Sequence, residues 1–303
     1  LLSIILSNLS CVVYMVYRGN ALYDMINPRW NQKLCIKVLQ YSVPMVPTVI
    51  AWWIMQTSDK YIIIAKLGLE SSGIYSVAYK IPSMLSIVTS LFTQAWQISA
   101  IQNYDEKDNP EFVGNVYNVY SLLNTFVCGF LILLTKPLSY ILYAKEFYVA
   151  WICVPILLLA YVFNGISGML QSVFTASKKT KYLMLSTGCG AILNVILNFI
   201  FVEKFGIIGA AWTTLIGFIA TWVIRFYVAQ KIMPFPVKMF RQSVSYILLL
   251  IEAVIIIGIP KYEMLYALIP LCLIILLNYQ TLRDLVKLVI CMFIKIRRGD
   301  KVK

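Results

Sequence analysis

The residues with the most distinctive chemistry are one carboxylate and three neutral oxygen donors that lie in or beside apolar stretches. Asp59 lies near the end of a long apolar run, Asn194 and Asn198 are one helical turn apart, and Thr214 follows a short turn at 203–206. A carboxylate with amide and hydroxyl oxygens is the kind of hard ligand set that a sodium ion prefers. These four residues form a candidate cation-binding site, and the ion that it would couple to transport is sodium or a proton.

Each of these residues also has a simpler interpretation. Asp59 is followed by Lys60, so the two side chains could form an ion pair at the membrane surface and reach water. Asn194, Asn198 and Thr214 could instead hydrogen-bond to one another as a packing motif between helices. Glu252 stands alone in a later apolar run and has no evident partner.

Most catalytic and metal chemistry is excluded by composition. The chain has no histidine, which removes histidine-based acid–base catalysis, Ser-His-Asp and Cys-His sites, and histidine metal ligands. Its seven cysteines form no C-x-x-C pair, and we expect them to pack as small apolar residues. We therefore expect no catalytic residue, no metal centre beyond the candidate cation site, no organic cofactor and no enzymatic activity.

The elements that carry these residues are long and apolar. Hydrophobic residues make up 60% of the chain and charged residues 13%, whereas soluble domains have about 25% charged residues. Nine runs approach the length of about 20 residues that a helix needs to span a bilayer. The sequence therefore predicts an all-α polytopic membrane protein with about nine transmembrane helices. The predicted helices are 1–17, 41–64, 77–101, 113–135, 147–175, 182–202, 207–230, 243–260 and 263–281.

Polar residues follow one face of six consecutive predicted helices, from 41–64 to 207–230. A polar face in lipid should turn toward the bundle or a water-filled cavity. Six such faces indicate a shared hydrated cavity, although hydrogen bonding between helices would give the same pattern. The residues expected to line the cavity or contact a substrate are Lys60, Tyr75, Tyr79, Lys80, Gln94, Trp96, Gln97, Gln171 and Arg225.

The basic residues set the predicted orientation. Of the 26 lysines and arginines, 19 lie on the side of the C-terminal tail and 7 on the other side. Basic loops stay in the cytoplasm, so residue 1 should lie near the outer face and the C-terminus inside. The basic tail at 282–303 is expected to lie along the inner surface, attracted to anionic membrane lipids.

Several motifs together resemble one branch of a transporter superfamily. They are Ser58-Asp59-Lys60-Tyr61, the stretch 73–82, Gln94-Ala95-Trp96, the pair Asn194 and Asn198, and the stretch 204–214. As a set, over about 41–230, they resemble the polysaccharide transporters of the multidrug/oligosaccharidyl-lipid/polysaccharide exporter superfamily.

The resemblance implies two six-helix lobes around a central cavity. On that basis, 1–40 would be the last helix of the N-terminal lobe with a cytoplasmic connector, and 41–230 the C-terminal transport lobe. Residues 231–303 would be two additional helices and the basic tail. The chain would then be a fragment without most of its N-terminal lobe, and alone it should not transport.

The function implied by the resemblance is a flippase or exporter. Such proteins move undecaprenyl-linked oligosaccharides across the bacterial cytoplasmic membrane for O-antigen, lipopolysaccharide, capsule or related surface polysaccharides. Partners would be the lipid-linked substrate, membrane lipids, a polysaccharide polymerase and a chain-length regulator, and no nucleic acid. In similar lipid II flippases a sodium ion sits where Asp59, Asn194, Asn198 and Thr214 lie here.

Two alternatives remain open at this point. The first is an ion-coupled multidrug exporter of the same superfamily, which would prefer an aromatic and acidic cavity. The second is a membrane polysaccharide polymerase or acyltransferase, which generally uses a large external loop or an intramembrane histidine. The sequence has neither of these features.

Overall fold

The computed structural model describes residues 2–18, 31–102, 110–258, 263–281 and 283, and within these ranges the chain is helical without a β-strand. The elements in chain order are α1 (Leu2–Arg18), α2 (Gln32–Ser42), α3 (Met45–Ala78), α4 (Lys80–Gln102), α5 (Pro110–Leu133), α6 (Thr135–Leu142), a 3₁₀ helix (Lys145–Cys153), α7 (Val154–Ala176), α8 (Lys181–Ile232), α9 (Met239–Gly258) and α10 (Glu263–Leu277).

The all-helical membrane architecture predicted from the sequence is confirmed. Five helical segments in the described ranges are long and apolar enough to cross a membrane, and α1 and α10 contain shorter apolar helices. Two of the five segments, 32–97 and 181–232, each cover most or all of two predicted spans, and the described residues of all nine predictions lie largely on helices. The predicted tail at 282–303 and the loop at 103–109 lie outside the described residues, apart from position 283.

Two glycines bend the long helices. Gly68 in α3 has φ 87° and ψ 173°, and Gly206 in α8 has φ 61° and ψ −144°. These backbone conformations are open to glycine and strained for residues with a Cβ. Each glycine reverses the helix into two limbs, so α3 with α4, and α8 alone, form hairpins that return across the membrane.

The chain divides into two compact units, residues 1–42 and 43–303. The first contains α1 and α2. In the second, α7 is the most buried element, and its side chains are covered by α4, α5 and α8. The two bent helices α3 and α8 pack against each other along much of their length. The division into lobe and additional helices at residue 230 stays a prediction.

The two limbs of α8 meet at small residues. A Cβ placed on Gly190 would lie 2.8 Å from the carbonyl oxygen of Gly217 and would collide with the Thr221 hydroxyl. Small residues at such crossings let two backbones approach closely in a membrane. Gly188, two residues earlier, faces open space.

We expect Gly190→Ala to destabilise the protein by about 1–3 kcal/mol, the usual range for an overpacked contact. Thermal unfolding of the purified protein in detergent measures the effect. Gly188→Ala is the matched control, since both substitutions add one methyl group to the same helix, and it should change the melting temperature little. Equal melting temperatures for the two variants would contradict the close packing of these limbs.

Candidate functional site

Asp59 lies at the centre of a buried polar cluster between α3 and α8. Its side chain has no solvent exposure. Asn198 donates from Nδ2 to Asp59 Oδ1 at 2.6 Å, and Thr214 donates from Oγ1 to Asp59 Oδ2 at 2.5 Å. Tyr75 and Tyr79 donate to the same Oδ2 at 3.1 and 3.4 Å. The carboxyl group is therefore held by four donors from three helical limbs.

The helical bends position this cluster. Asp59 precedes Gly68 on the first limb of α3, and Tyr75 and Tyr79 follow the bend. Asn198 and Thr214 lie on opposite sides of the bend at Gly206. Both bends thus bring their flanking limbs together at the same end of the bundle, where the polar side chains meet.

Two amide atoms of the cluster lack partners among the described residues. Asn198 Oδ1 and Asn194 Nδ2 are buried without a hydrogen bond. Burying a carboxylate away from water costs free energy unless donors, a proton or a cation compensate for its charge. Rotation of the Asn198 amide would turn its oxygen toward Asp59, and two facing oxygens need a cation or proton between them. The donor set thus fits a small hard cation or a proton.

The predicted cation-site residues are brought together to different degrees. Asp59, Asn198 and Thr214 are in direct contact, whereas Asn194 accepts a hydrogen bond from Ser58 at 3.3 Å. The alternative of an Asp59–Lys60 ion pair is not observed, because Lys60 lies 5.8 Å from the Tyr79 ring centroid instead. Cation binding itself stays a prediction.

A separate cavity of about 350 Å³ lies further along these helices, on the side of the Asp59 cluster away from the bends at Gly68 and Gly206. Side chains from α3, α4, α7 and both limbs of α8 line it, including Gln94, Gln171 and Arg225 of the predicted cavity residues. Five of the six polar faces seen in the sequence contribute to this wall. The other polar lining residues are Thr48, Ser86, Thr89, Ser90, Thr93, Asn164, Ser167, Thr187 and Thr221.

Arg225 is the charged side chain of this wall. It is only 6% exposed, and its guanidinium donates to the Ser167 carbonyl oxygen at 2.9 Å, Ser186 Oγ at 3.1 Å and Thr187 Oγ1 at 2.8 Å. All three partners are neutral, and no carboxylate of the described residues lies within ion-pair distance. A guanidinium has five N–H donors, so two remain available beyond these three bonds.

The other residues predicted for the cavity lie elsewhere. Tyr75 and Tyr79 belong to the Asp59 cluster. Trp96 is buried and donates from Nε1 to Ser172 Oγ at 2.7 Å, which makes it a packing residue between α4 and α7. Lys60, Lys80 and Gln97 are not among the lining residues, and Lys80 is exposed.

The polar face of α5 differs from the sequence prediction. It does not line the shared cavity, because Asn118 contacts the segment after α8 and Ser121 shares a 2.7 Å hydrogen bond with Tyr246 of α9. Periodicity correctly identifies one polar face on α5. It cannot identify the neighbour, and here the neighbour is the C-terminal helix pair α9–α10.

Some contacts of the site were not found from the sequence. Ser186 and the Ser167 carbonyl hold Arg225, and Ser58 holds Asn194. Single serines on apolar helices carry little signal, since most of them hydrogen-bond to the carbonyl of their own preceding turn. Their role depends on contacts across 39 to 136 residues of sequence.

The fold, the polar cluster and the cavity define a multi-pass membrane protein. The MatE family matches residues 44–200, which is more than half of the chain. The chain belongs to the MatE family.

Two solved structures share this fold. A multidrug resistance MATE family transporter of the MOP superfamily, in an outward-facing conformation, has a TM-score of 0.52 and 20% identity over 72% of this chain and 53% of its own. The lipid II flippase MurJ, in an inward closed conformation, has a TM-score of 0.58 and 19% identity over 85% of this chain and 57% of its own. At this identity the likeness shows the fold alone.

A curated relative is the uncharacterized membrane protein MJ1375 of Methanocaldococcus jannaschii. It is 26% identical over 231 residues, which cover 73% of this chain and 54% of the relative. The chain thus spans about half the length of this relative and of both solved structures.

Proposed function

We propose that the complete protein is a flippase that moves undecaprenyl-linked oligosaccharide repeat units across the cytoplasmic membrane for surface polysaccharide synthesis. It acts as a transporter rather than an enzyme. Family membership and the fold shared with transporters support the general class. The charge of the cavity supports the lipid-linked substrate.

The observation that carries the proposal is the Arg225 guanidinium. It is buried at the wall of the cavity and bonded to neutral groups, while the lining residues include no carboxylate. An uncompensated buried cation attracts an anion strongly, because the low dielectric strengthens the interaction. A pyrophosphate head group supplies that charge and accepts two parallel bonds from the free guanidinium N–H groups.

The separation of the two sites suits coupled transport. The Arg225 cavity lies further along the same four helical limbs of α3, α4 and α8 than the Asp59 cluster. A cation or proton at Asp59 changes the charge where these limbs meet, and a substrate at Arg225 contacts the limbs further along. Each ligand can then favour one arrangement of the limbs, which is the requirement for coupling.

A cation-coupled multidrug exporter is the second candidate. The observation in its favour is the acid–aromatic cluster of Asp59, Tyr75 and Tyr79, since aromatic faces and a carboxylate bind organic cations. Asp59 is completely buried and does not line the cavity, so an organic cation has no described path to it. This geometry favours the flippase.

The decisive experiment compares ligands with the same tail and different heads. Binding of undecaprenyl pyrophosphate and of neutral undecaprenol to the purified complete protein is measured by native mass spectrometry. We expect the pyrophosphate to bind at least about tenfold more tightly, the effect of one charge-assisted bond. Equal binding of both lipids, with tighter binding of a hydrophobic organic cation, would favour the multidrug exporter.

The proposed location is the inner membrane with a cytoplasmic C-terminus, and its test is cysteine labelling. Lys179 and Lys145 are exposed residues in connections predicted on opposite sides. In a background without the seven native cysteines, we expect a cysteine at 179 to react only from the cytoplasm and one at 145 only from outside. The reverse pattern would invert the predicted orientation of the whole chain.

A further inference from the structure

Glu252 is a buried carboxyl group that neither the cavity nor the Asp59 cluster uses. It lies in the middle of α9 and has no solvent exposure. Within the described residues, both of its carboxyl oxygens are buried without a hydrogen-bond partner. The side chain therefore sits inside the protein at membrane depth with nothing to balance a negative charge.

The surroundings of Glu252 are apolar and closely packed. It faces α5 at Gly129, where a Cβ would come within 3.2 Å of Glu252 Oε2, 3.3 Å of Leu249 Cδ2 and 2.8 Å of Leu271 Cδ1. Glycine at this position makes room for the carboxyl group. The helices that pack against α9 are α5, α7 and α10.

One titratable group that interacts with Glu252 offers no positive charge. It is the buried thiol of Cys128, next to Gly129 on α5. The charged residues of α5 and α10 are Glu111 and Glu263, both in the first turns of their helices, and α7 has none. On α9 the basic residue is Arg241, three turns from Glu252. A resident counter-ion is therefore absent from the described surroundings.

We propose that Glu252 is a proton-binding site that holds the helix pair α9–α10 against α5. Burying an isolated carboxylate in this setting costs far more free energy than burying the neutral acid, so the packed arrangement binds the proton. Loss of the proton requires water or a cation to reach the carboxylate. Either one must enter between α9 and the Gly129 face of α5, which loosens the helix pair.

The site thus takes a proton, and its occupancy is linked to the packing of α9 and α10. The linkage has a definite sign. The packed state holds a proton that the opened state releases, so the packed state gains stability as the pH falls and loses it as the pH rises. A glutamine is a close neutral replacement for the protonated acid and removes this dependence.

The test compares thermal unfolding of the complete protein and of Glu252→Gln in detergent from pH 5 to pH 9. We expect equal melting temperatures at pH 5, and a margin in favour of the variant that grows to about 3 °C or more at pH 9. Glu146→Gln is the matched control, because Glu146 is exposed in the 3₁₀ helix, and its pH profile should follow the wild type.

The other outcomes overturn the proposal. A Glu252→Gln variant that does not fold, or that loses stability equally at every pH, would show that the charge itself is needed. A pH profile identical to the wild type would show that Glu252 does not exchange a proton on opening. A second readout is modification by a hydrophobic carbodiimide, which adds to a protonated carboxyl group; we expect peptide mapping to find it on Glu252 at pH 6 and at least about tenfold less at pH 9.

Discussion

Replacement of Arg225 by glutamine is expected to lower transport by the complete protein by about 10- to 100-fold, while the protein still folds and reaches the membrane. The variant removes the buried positive charge that the cavity presents to an anionic head group. A hydrogen bond to a charged group contributes about 1.5–3 kcal/mol, and each 1.4 kcal/mol is a factor of ten. Surface polysaccharide in cells that depend on the protein measures the effect.

Arg225→Lys should not restore full transport. The guanidinium is fixed by three bonds in different directions, from Nε and both terminal nitrogens, and still has donors for a ligand. A lysine ammonium carries the charge with three donors, so it cannot keep these partners and also bind an anion in a bidentate manner. Partial activity of this variant would separate the contribution of charge from that of geometry.

The control for Arg225 is Lys231→Gln, which removes one positive charge from the last turn of the same helix. Lys231 is exposed and lies 4.4 Å from the Tyr227 ring centroid, away from the cavity. We expect it to transport normally. Lys80→Ala is informative as well, because the sequence predicts the same role for Lys80 and Arg225, and the structure leaves Lys80 exposed. Normal transport by Arg225→Gln would remove the electrostatic basis of the proposed function.

Replacement of Asp59 by asparagine should abolish the response of transport to a sodium or proton gradient. An amide keeps the size of the side chain and most hydrogen bonds, but it can neither bind a proton nor supply a full charge to a cation. We expect transport to fall at least about tenfold, as for the loss of a charge-assisted contact. Uptake into vesicles with imposed gradients of sodium, and separately of pH, measures the response and identifies the ion.

Two neighbouring threonines provide the matched pair for this cluster. Thr213 and Thr214 are both buried, and each hydroxyl oxygen lies within hydrogen-bond distance of the Ala210 carbonyl oxygen, at 2.8 and 2.9 Å. Only Thr214 also contacts Asp59 in the described structure. Thr214→Val should therefore weaken the gradient response, whereas Thr213→Val should not. If Asp59→Asn kept a full response, the cluster would have a packing role only.

Much of the fold follows from the sequence, because the hydrophobic runs are long and a bilayer permits few alternatives to helices. The turn at 203–206 was also visible. The bend at Gly68 was not, since a glycine in an apolar stretch does not reveal which backbone conformation it will adopt. Because the chain bends at Gly68, the return limb begins well before residue 77, which is the predicted start of the third helix.

The sequence predicts which residue types form the candidate sites, but it predicts their contacts with one another less well. Asp59, Asn198 and Thr214 meet because they are polar residues near the same end of adjacent helices, and depth along a helix can be counted from the sequence. Tyr75 and Arg225 both lay on predicted polar faces. Tyr75 contacts Asp59, whereas Arg225 lines the cavity. A polar helix face extends over the depth of the membrane, and the packing of the helices decides which neighbour each part of that face contacts.

The spacing of the Asp59 cluster along the chain has a consequence for biosynthesis. Asp59 is made 155 residues before Thr214, its partner on the return limb of α8. At 5–20 residues per second, the ribosome takes about 8–30 s to cover that interval. For most of this time the carboxyl group has neither Asn198 nor Thr214 to bind it. Tyr75 and Tyr79, only 16 and 20 residues after Asp59, are the partners that the nascent chain can supply until the last hairpin arrives.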